Sequence, residues 1–257
     1  MITLDQVSVH FGGLVAVNAV SFEVPAGRIT GLIGPNGAGK TTLFNVIAGH
    51  VPAASGRVLL EGEDITTLKP HQRAARGLAR TFQIPHEFAR LTVLENFMAS
   101  AAMPLGESVV NAVFRRGRFM AEERNVIATA LETVKLLELE RVRDEKAGNL
   151  SGGQKKLVEL GRALMRDPKI VLLDEIGAGI NRTLLAKLSD KIKLLNRERG
   201  LTFCLIEHDL DYVSKLCDAV VVMAQGEVLM RGTVSEVRRD ERVIEAYFGG
   251  GKYEARV

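Results

Sequence analysis

The spacing of apolar positions changes character twice along this chain. Residues 2–9, 19–24 and 29–33 are short runs that alternate or stay apolar, separated by Gly12-Gly13 and Pro25-Ala26-Gly27, and they predict a β-rich start. Residues 40–49 read as a helix and 56–60 and 63–65 as strands around Glu61-Gly62, while Pro70 opens a helix to about residue 77. Residues 78–83 form a short strand ending at Gln83, because Pro85 breaks it. From about 86 to 149 the period becomes helical. It is clearest over 92–102 and 120–139, where Ile127, Leu131, Val134 and either Leu137 or Glu138 share one face. A helix over 154–166 follows, and then the β character returns. Residues 169–175 and 201–206 are apolar strands on either side of an amphipathic helix, 183–199, that carries Leu184, Leu188, Ile192 and Leu195. A β pair at 219–223 and 227–230 around Gln225-Gly226 precedes a helical tail over 234–248 and Gly249-Gly250-Gly251. Unbroken apolar strands suit a parallel sheet covered on both faces. The pattern therefore predicts an α/β core with a β-rich beginning and an inserted helical subdomain.

Composition narrows this only a little. With 257 residues the chain is one large or two small domains, and 46% hydrophobic and 25% charged residues are ordinary values for a globular protein. A net charge of +3 is too small to argue for a nucleic-acid partner. No apolar stretch approaches the roughly 18 residues needed to span a bilayer. Met1-Ile2-Thr3-Leu4-Asp5 has neither the basic nor the apolar region of a signal peptide, so a cytoplasmic location is expected. Cys204 and Cys217 lack metal-ligand spacing and read as reduced packing residues. Arg115-Arg116-Gly117-Arg118 reads as part of a loop between helices, either simply solvated or touching lipid or a partner.

The chemistry concentrates at the ends of the apolar strands. Gly34-Pro35-Asn36-Gly37-Ala38-Gly39-Lys40-Thr41-Thr42 fits G-x-x-x-x-G-K-[ST] between a strand and a helix, the setting of a phosphate-binding loop. Glycines let the backbone N–H groups turn towards a polyphosphate, and the helix N-terminus adds partial positive charge. Lys40 suits the β- and γ-phosphates and the Thr41 hydroxyl suits Mg²⁺. Phe11, beside two glycines, is either a core residue or a stacking partner for adenine. Ser151-Gly152-Gly153-Gln154 opens a helix and is either a second anion site or a plain N-cap. Asp174 and Glu175 end a buried strand, where ligands of parallel sheets bind. Neighbours on a strand face opposite ways, so one carboxylate can hold Mg²⁺ through water while the other polarises an attacking water. His208 ends another strand and is a further candidate.

Taken in order, the phosphate loop, Gln83, Leu150-Ser151-Gly152-Gly153-Gln154, Asp174-Glu175 and His208 closely resemble the ATP-binding cassette (ABC) ATPases over essentially the whole chain. The resemblance implies an α/β P-loop NTPase fold of the ABC type: a RecA-like α/β core, an N-terminal antiparallel β subdomain and an inserted α-helical subdomain. It implies one nucleotide-binding domain over 1–257, with the helical subdomain and its signature at 86–164 and the remainder at 1–85 and 165–257. Phe11 would stack on adenine, and Val17 belongs with Phe11, residues 34–42 and residues 151–154 in the nucleotide-binding set. Thr41, Gln83 and Asp174 would hold Mg²⁺, Glu175 would act as general base or orient water, and His208 would contact the γ-phosphate. Gln83 would also link the site to a membrane partner. Ser151 to Gln154 would bind ATP held by another subunit, so that two cassettes sandwich two ATP molecules and hydrolysis reopens them.

Within the family, Arg80-Thr81-Phe82-Gln83, the long insertion before Arg124, Ala147-Gly148-Asn149-Leu150 and the tail from Val243 to Gly249 are similar to the larger ATPase of branched-chain amino acid importers. That similarity implies a second ABC ATPase subunit (a copy of this chain or a different one), two transmembrane permease subunits and, indirectly, a solute-binding protein. It places the chain at the inner face of the cell membrane, without nucleic acid. A lipopolysaccharide-export ATPase shares the tail but lacks the insertion. A non-transport cassette of DNA repair or translation would bring long coiled coils or a second cassette. One departure stands out: Ile176, then Gly177, follow Glu175 where the family usually has proline. A looser loop there predicts slower hydrolysis with normal ATP binding.

Overall fold

The computed structural model describes residues 1–81, 87–102 and 116–248. The chain divides into two compact units, one made of Met1–Arg80, Lys169–Ile176 and Lys193 onward, the other of Thr81–Pro168 and Gly177–Ile192.

The first unit holds two sheets. β1 (Ile2–Phe11), β2 (Leu14–Val24), β4 (Ser55–Leu60) and β5 (Glu63–Asp64) form an antiparallel sheet in the order β2-β1-β4-β5. The β1–β2 hairpin runs closer to its tip than the apolar pattern suggested: Phe11 pairs with Leu14 across Gly12-Gly13, so Phe11 ends a strand and is not in the turn. β3 (Ile29–Ile33), β6 (Leu78–Arg80), β7 (Ile170–Asp174), β8 (Thr202–Ile206), β9 (Ala219–Ala224) and β10 (Glu227–Gly232) form the second sheet, ordered β10-β9-β3-β8-β7-β6. All its neighbours are parallel except the β9–β10 hairpin. Every residue of β3, β7 and β8 is buried, as expected of parallel strands covered on both faces.

Register sets up the chemistry. Leu32 of β3 lies opposite Ile206 of β8, and Ile206 lies opposite Asp174 of β7. Whatever follows these three strands therefore leaves the sheet at one level. Between the sheets, α1 (Lys40–Ala48) buries Leu43, Phe44 and Ile47 in a core shared with Ile2, Leu4 and Phe22 of the antiparallel sheet and with Leu172 and Cys204 of the parallel one. Arg73, on α2 (Pro70–Ala75), closes the C-terminal end of α1. Its guanidinium, 2% exposed, donates to the carbonyls of Val46, Ile47, Thr66 and Leu68, and burial lowers its pKa.

The second unit is helical: α3 (Val93–Met98), α4 (Arg116–Leu136), α5 (Gly152–Leu164) and the beginning of α6 (Arg182–Arg199), which continues into the first unit. Thr92 and Glu95 cap α3 reciprocally, and buried Asn96 holds the carbonyls of Phe88, Leu91 and Thr92. α4 starts earlier and ends sooner than its periodicity predicted. Its buried face is Val126, Ala130, Thr133 and Val134, with Leu137 buried just beyond its end, while Leu131 is exposed, so small Ala130 occupies the place expected of a leucine. Arg116, Gly117 and Arg118 belong to the first turn of α4 and not to a loop; Arg115 lies outside the described residues.

α7 (Leu210–Leu216) follows β8, and the predicted continuous tail is two helices, α8 (Val234–Val237) and α9 (Glu241–Phe248). The break falls where the Asp240 side chain accepts from the Arg242 N–H, an interaction that competes with helical bonding.

Candidate nucleotide site

The phosphate loop is held from three directions within the first unit. A Cβ on Gly34, whose φ is +151°, would lie 2.1 Å from the Met223 carbonyl oxygen, and one on Gly39, at φ +93°, would lie 2.5 Å from that of Ala16. The loop thus packs backbone to backbone against β2 and β9, and only glycine fits. The third restraint is the β9–β10 turn: the Gly226 N–H donates to Ala38 O at 3.2 Å and the Gly226 carbonyl accepts from Asn18 N at 2.8 Å. Gln225 and Gly226 also line the cleft over the loop. Nothing in their local sequence marked them as more than a turn.

No side chain caps the N-terminus of α1, where Gly39 occupies the cap position. Those N–H groups and the helix dipole are left for an anion. Lys40 is 6% exposed, and its Nζ donates to Gly34 O at 2.7 Å and Pro35 O at 2.8 Å. Burial lowers its pKa, opposed by the nearby carboxylates of Glu175 and Asp174.

The cleft above the loop measures about 540 Å³ and is lined by Phe11, Leu14, Val15 and Ala16 on one side and by Glu175 and His208 on another. Phe11 is 51% and Leu14 65% exposed, an apolar ledge uncovered beside an anion cradle. That arrangement suits a ligand with a flat apolar end and a polyphosphate. Val17, expected in the binding set, is fully buried in the core beneath Gly39; Leu14, Val15 and Ala16 are the β2 residues that reach the cleft. Asn36, Gly37, Ala38, Thr41 and Thr42 also line it, whereas Gln83 lies outside the described residues.

The two carboxylates separate differently from the way strand alternation suggested. β7 stops at Asp174, and Glu175 adopts φ +47°, with its N–H donating to Ile206 O at 3.1 Å. A left-handed turn, not pleat alternation, aims Glu175 away from Asp174. Asp174 is buried and accepts from Arg80 Nη2 at 3.0 Å, while Arg80 Nη1 donates to Asn45 Oδ1 of α1 at 2.6 Å. Arg80 therefore ties the strand carboxylate to the loop helix, a role that a residue next to the Thr-Phe-Gln stretch did not announce. Glu175 Oε1 and His208 Nε2 are hydrogen-bonded at 2.5 Å. His208 stays half-exposed because Asp209 caps α7 by accepting from the N–H groups of Asp211 and Tyr212, which ends β8 and turns the chain. Ile176 is 4% exposed, so packing anchors the residue after Glu175 where the usual proline is absent. The Thr41 hydroxyl and Asp174 carboxylate are hard oxygen donors suited to a cation that keeps water and phosphate ligands.

In the second unit, Ser151 is the N-cap of α5. Its Oγ accepts from Gln154 N at 3.3 Å, and Gln154 Oε1 accepts from Ser151 N at 3.0 Å and Oγ at 2.9 Å. A Cβ on Gly152 would meet nothing within 4 Å, whereas one on Gly153 would strike Leu184 at 1.7 Å.

The family model described as ABC transporter matches residues 17–178, and one described as branched-chain amino acid ATP-binding cassette transporter matches residues 227–253. The probable branched-chain amino acid transport ATP-binding protein LivG of Archaeoglobus fulgidus is 40% identical over 95% of this chain and 94% of its own length. The high-affinity branched-chain amino acid transport ATP-binding protein BraF of Pseudomonas aeruginosa is 35% identical over 97% of this chain and 98% of its own. Among solved structures, a nucleotide-free ATP-binding cassette from an ABC transporter superposes with a TM-score of 0.84 at 39% identity, covering 97% of this chain and 99% of that one. The ADP conformation of an ATP-binding cassette of an ABC transporter gives 0.85 at 38%, covering 97% and 98%.

Proposed function

The chain belongs to the ABC transporter family, and from that premise we propose that it energises the import of branched-chain or other hydrophobic amino acids as one of a pair of ATPase subunits. It binds ATP and is an ATPase. The observation that carries its chemistry is the gathering of Lys40, Glu175 and His208 on the phosphate-loop cleft. The amino-acid reading is supported by what its relatives are named for and by the match of its C-terminal segment.

Adenine rests on Phe11 and Leu14, and the phosphates lie in the loop. Lys40 exchanges two neutral carbonyls for charged phosphate oxygens, a stronger set of acceptors. Thr41 and Asp174, together with Gln83, would hold Mg²⁺, which supplies neutralisation of phosphate charge when bound. Glu175 orients a water and takes its proton as the water oxygen bonds to the γ-phosphorus and the bond to the bridging oxygen breaks. His208, which hydrogen-bonds Glu175 before nucleotide arrives, passes to the γ-phosphate and leaves the carboxylate free for water.

Ser151 to Gln154 serve the nucleotide of a second cassette, so each chain carries two half-sites within one nucleotide-binding domain. No described helix is long and apolar enough to cross a membrane. In this reading the chain is peripheral on the cytoplasmic face, docked on two permease subunits, with a solute-binding protein delivering the substrate. Affinity purification of the tagged chain from solubilised native membranes tests this. Two multi-span proteins and a second cassette, with leucine uptake lost when the chain is deleted, are the expected result; recovery with ribosomes or DNA-bound proteins and none from membranes would contradict it.

A further inference from the structure

The C-terminal helix α9 brings a side chain to the phosphate loop that the mechanism above does not use. Tyr247 packs on an apolar cluster that includes Ile33, the residue immediately before Gly34, together with Val213, Val237 and Val243. Its hydroxyl is sealed from solvent and makes no hydrogen bond of ordinary geometry. The backbone N–H of Gly34 faces it and draws the phenol pKa down, while the larger effect of burial pushes it up to about 12. A buried hydroxyl without a partner is normally eliminated or explained. Here it stands beside an N–H donor on the residue whose carbonyl holds Lys40. The same tyrosine lines a groove of about 550 Å³ shared with His208 and Leu210, so α9 shares an open space with the histidine of the site.

We propose that Tyr247 is a positioning residue for the phosphate loop: its phenol oxygen accepts the Gly34 N–H when nucleotide draws Lys40 off the Gly34 and Pro35 carbonyls. Gly34 has no room to shift towards β9, because Met223 O already closes that direction. Losing Lys40 from its carbonyl removes one restraint on the first residue of the loop, and the waiting hydroxyl supplies another. The C-terminal helix thereby bears directly on how firmly phosphates are gripped. This inference rests on the proposed nucleotide site, and its test separates the two.

Tyr247→Phe keeps the ring and deletes the oxygen. Affinities for ATP, ADP and adenosine are measured by titration calorimetry on wild-type and variant chains, with thermal melting alongside. The expected result is ATP and ADP binding weakened about 3- to 10-fold, unchanged adenosine binding and an unchanged melting temperature. Affinities for all three ligands unchanged from wild type, or a uniform loss that includes adenosine together with a lowered melting temperature, would overturn the positioning role. Amide NMR gives an independent reading: the Gly34 N–H resonance of the nucleotide-bound protein moves on Tyr247→Phe if the bond exists, and an unmoved resonance rejects it. If the wild-type chain binds neither ATP nor ADP, the nucleotide site itself fails, a result distinct from either.

Discussion

Two helix N-termini in this chain look alike in sequence, and the structure finishes them differently. Both have glycines at or just before the helix start, and both are expected to meet phosphate. At α1 no side chain occupies the cap, two glycines of the preceding loop lie where a Cβ would strike backbone, and a buried lysine waits on the loop carbonyls. At α5 Ser151 and Gln154 satisfy each other in a reciprocal cap, and Gly152 faces open space. The first is a helix start whose donors are left open for a ligand. The second is a well-capped helix that can serve as a site only when something else presents the ligand. The lesson is that a glycine-rich helix start is not yet an anion site; what matters is whether its donors are left open.

The comparison can be strained at several points, starting where the effect is largest. Glu175→Gln leaves the loop intact and removes the proton acceptor, so steady-state hydrolysis falls by about 10²- to 10⁴-fold while ATP affinity in calorimetry holds. Gly39→Ala forces both an unfavourable φ and a backbone clash and lowers unfolding free energy in urea by about 3 kcal/mol or more; Gly152→Ala, with nothing to meet, stays within about 0.5 kcal/mol of wild type. Ser151→Ala deletes one cap and costs about 1 kcal/mol in the same measurement.

The smallest effect is on pH dependence. The folded pKa of Lys40 is lowered by burial, so between that value and its unfolded value of about 10.5 the unfolded chain binds more protons. Stability contributed by this group therefore rises with pH through that window and is at its minimum below it. Lys40→Met removes the dependence, and urea titrations as pH rises towards about 10.5 should show the wild type gaining on the variant.

How much of this was legible in the sequence follows from how local each feature is. The loop, the signature and Asp174-Glu175 sit within a few residues each; for the loop and Asp174-Glu175 the preceding strands are continuous apolar runs, so their place at the carboxyl ends of the sheet could be read directly. Register then did the rest, aligning Leu32, Ile206 and Asp174. The Arg80–Asp174 pair, the Gly226 staple and Tyr247 beside Gly34 join residues 94, 188 and 213 positions apart, and no local pattern encodes such pairings. Leu131 misled because a leucine at helical spacing outweighs an alanine in any apolar count, yet Ala130 is the residue that packs. Glu175 misled for a related reason: a left-handed turn at a non-glycine residue leaves no mark in composition.

The claim that most needs testing is that the loop half-site holds nucleotide by itself while the signature half-site does not contribute within a single chain. Titration calorimetry of ATP into the dilute, monomeric chain decides it, with Lys40→Ala and Ser151→Ala run beside the wild type. The account predicts that Lys40→Ala weakens binding about 100-fold or more and that Ser151→Ala leaves it unchanged. A comparable loss from Ser151→Ala in the folded monomer would contradict it, because both helix ends would then grip the same ATP.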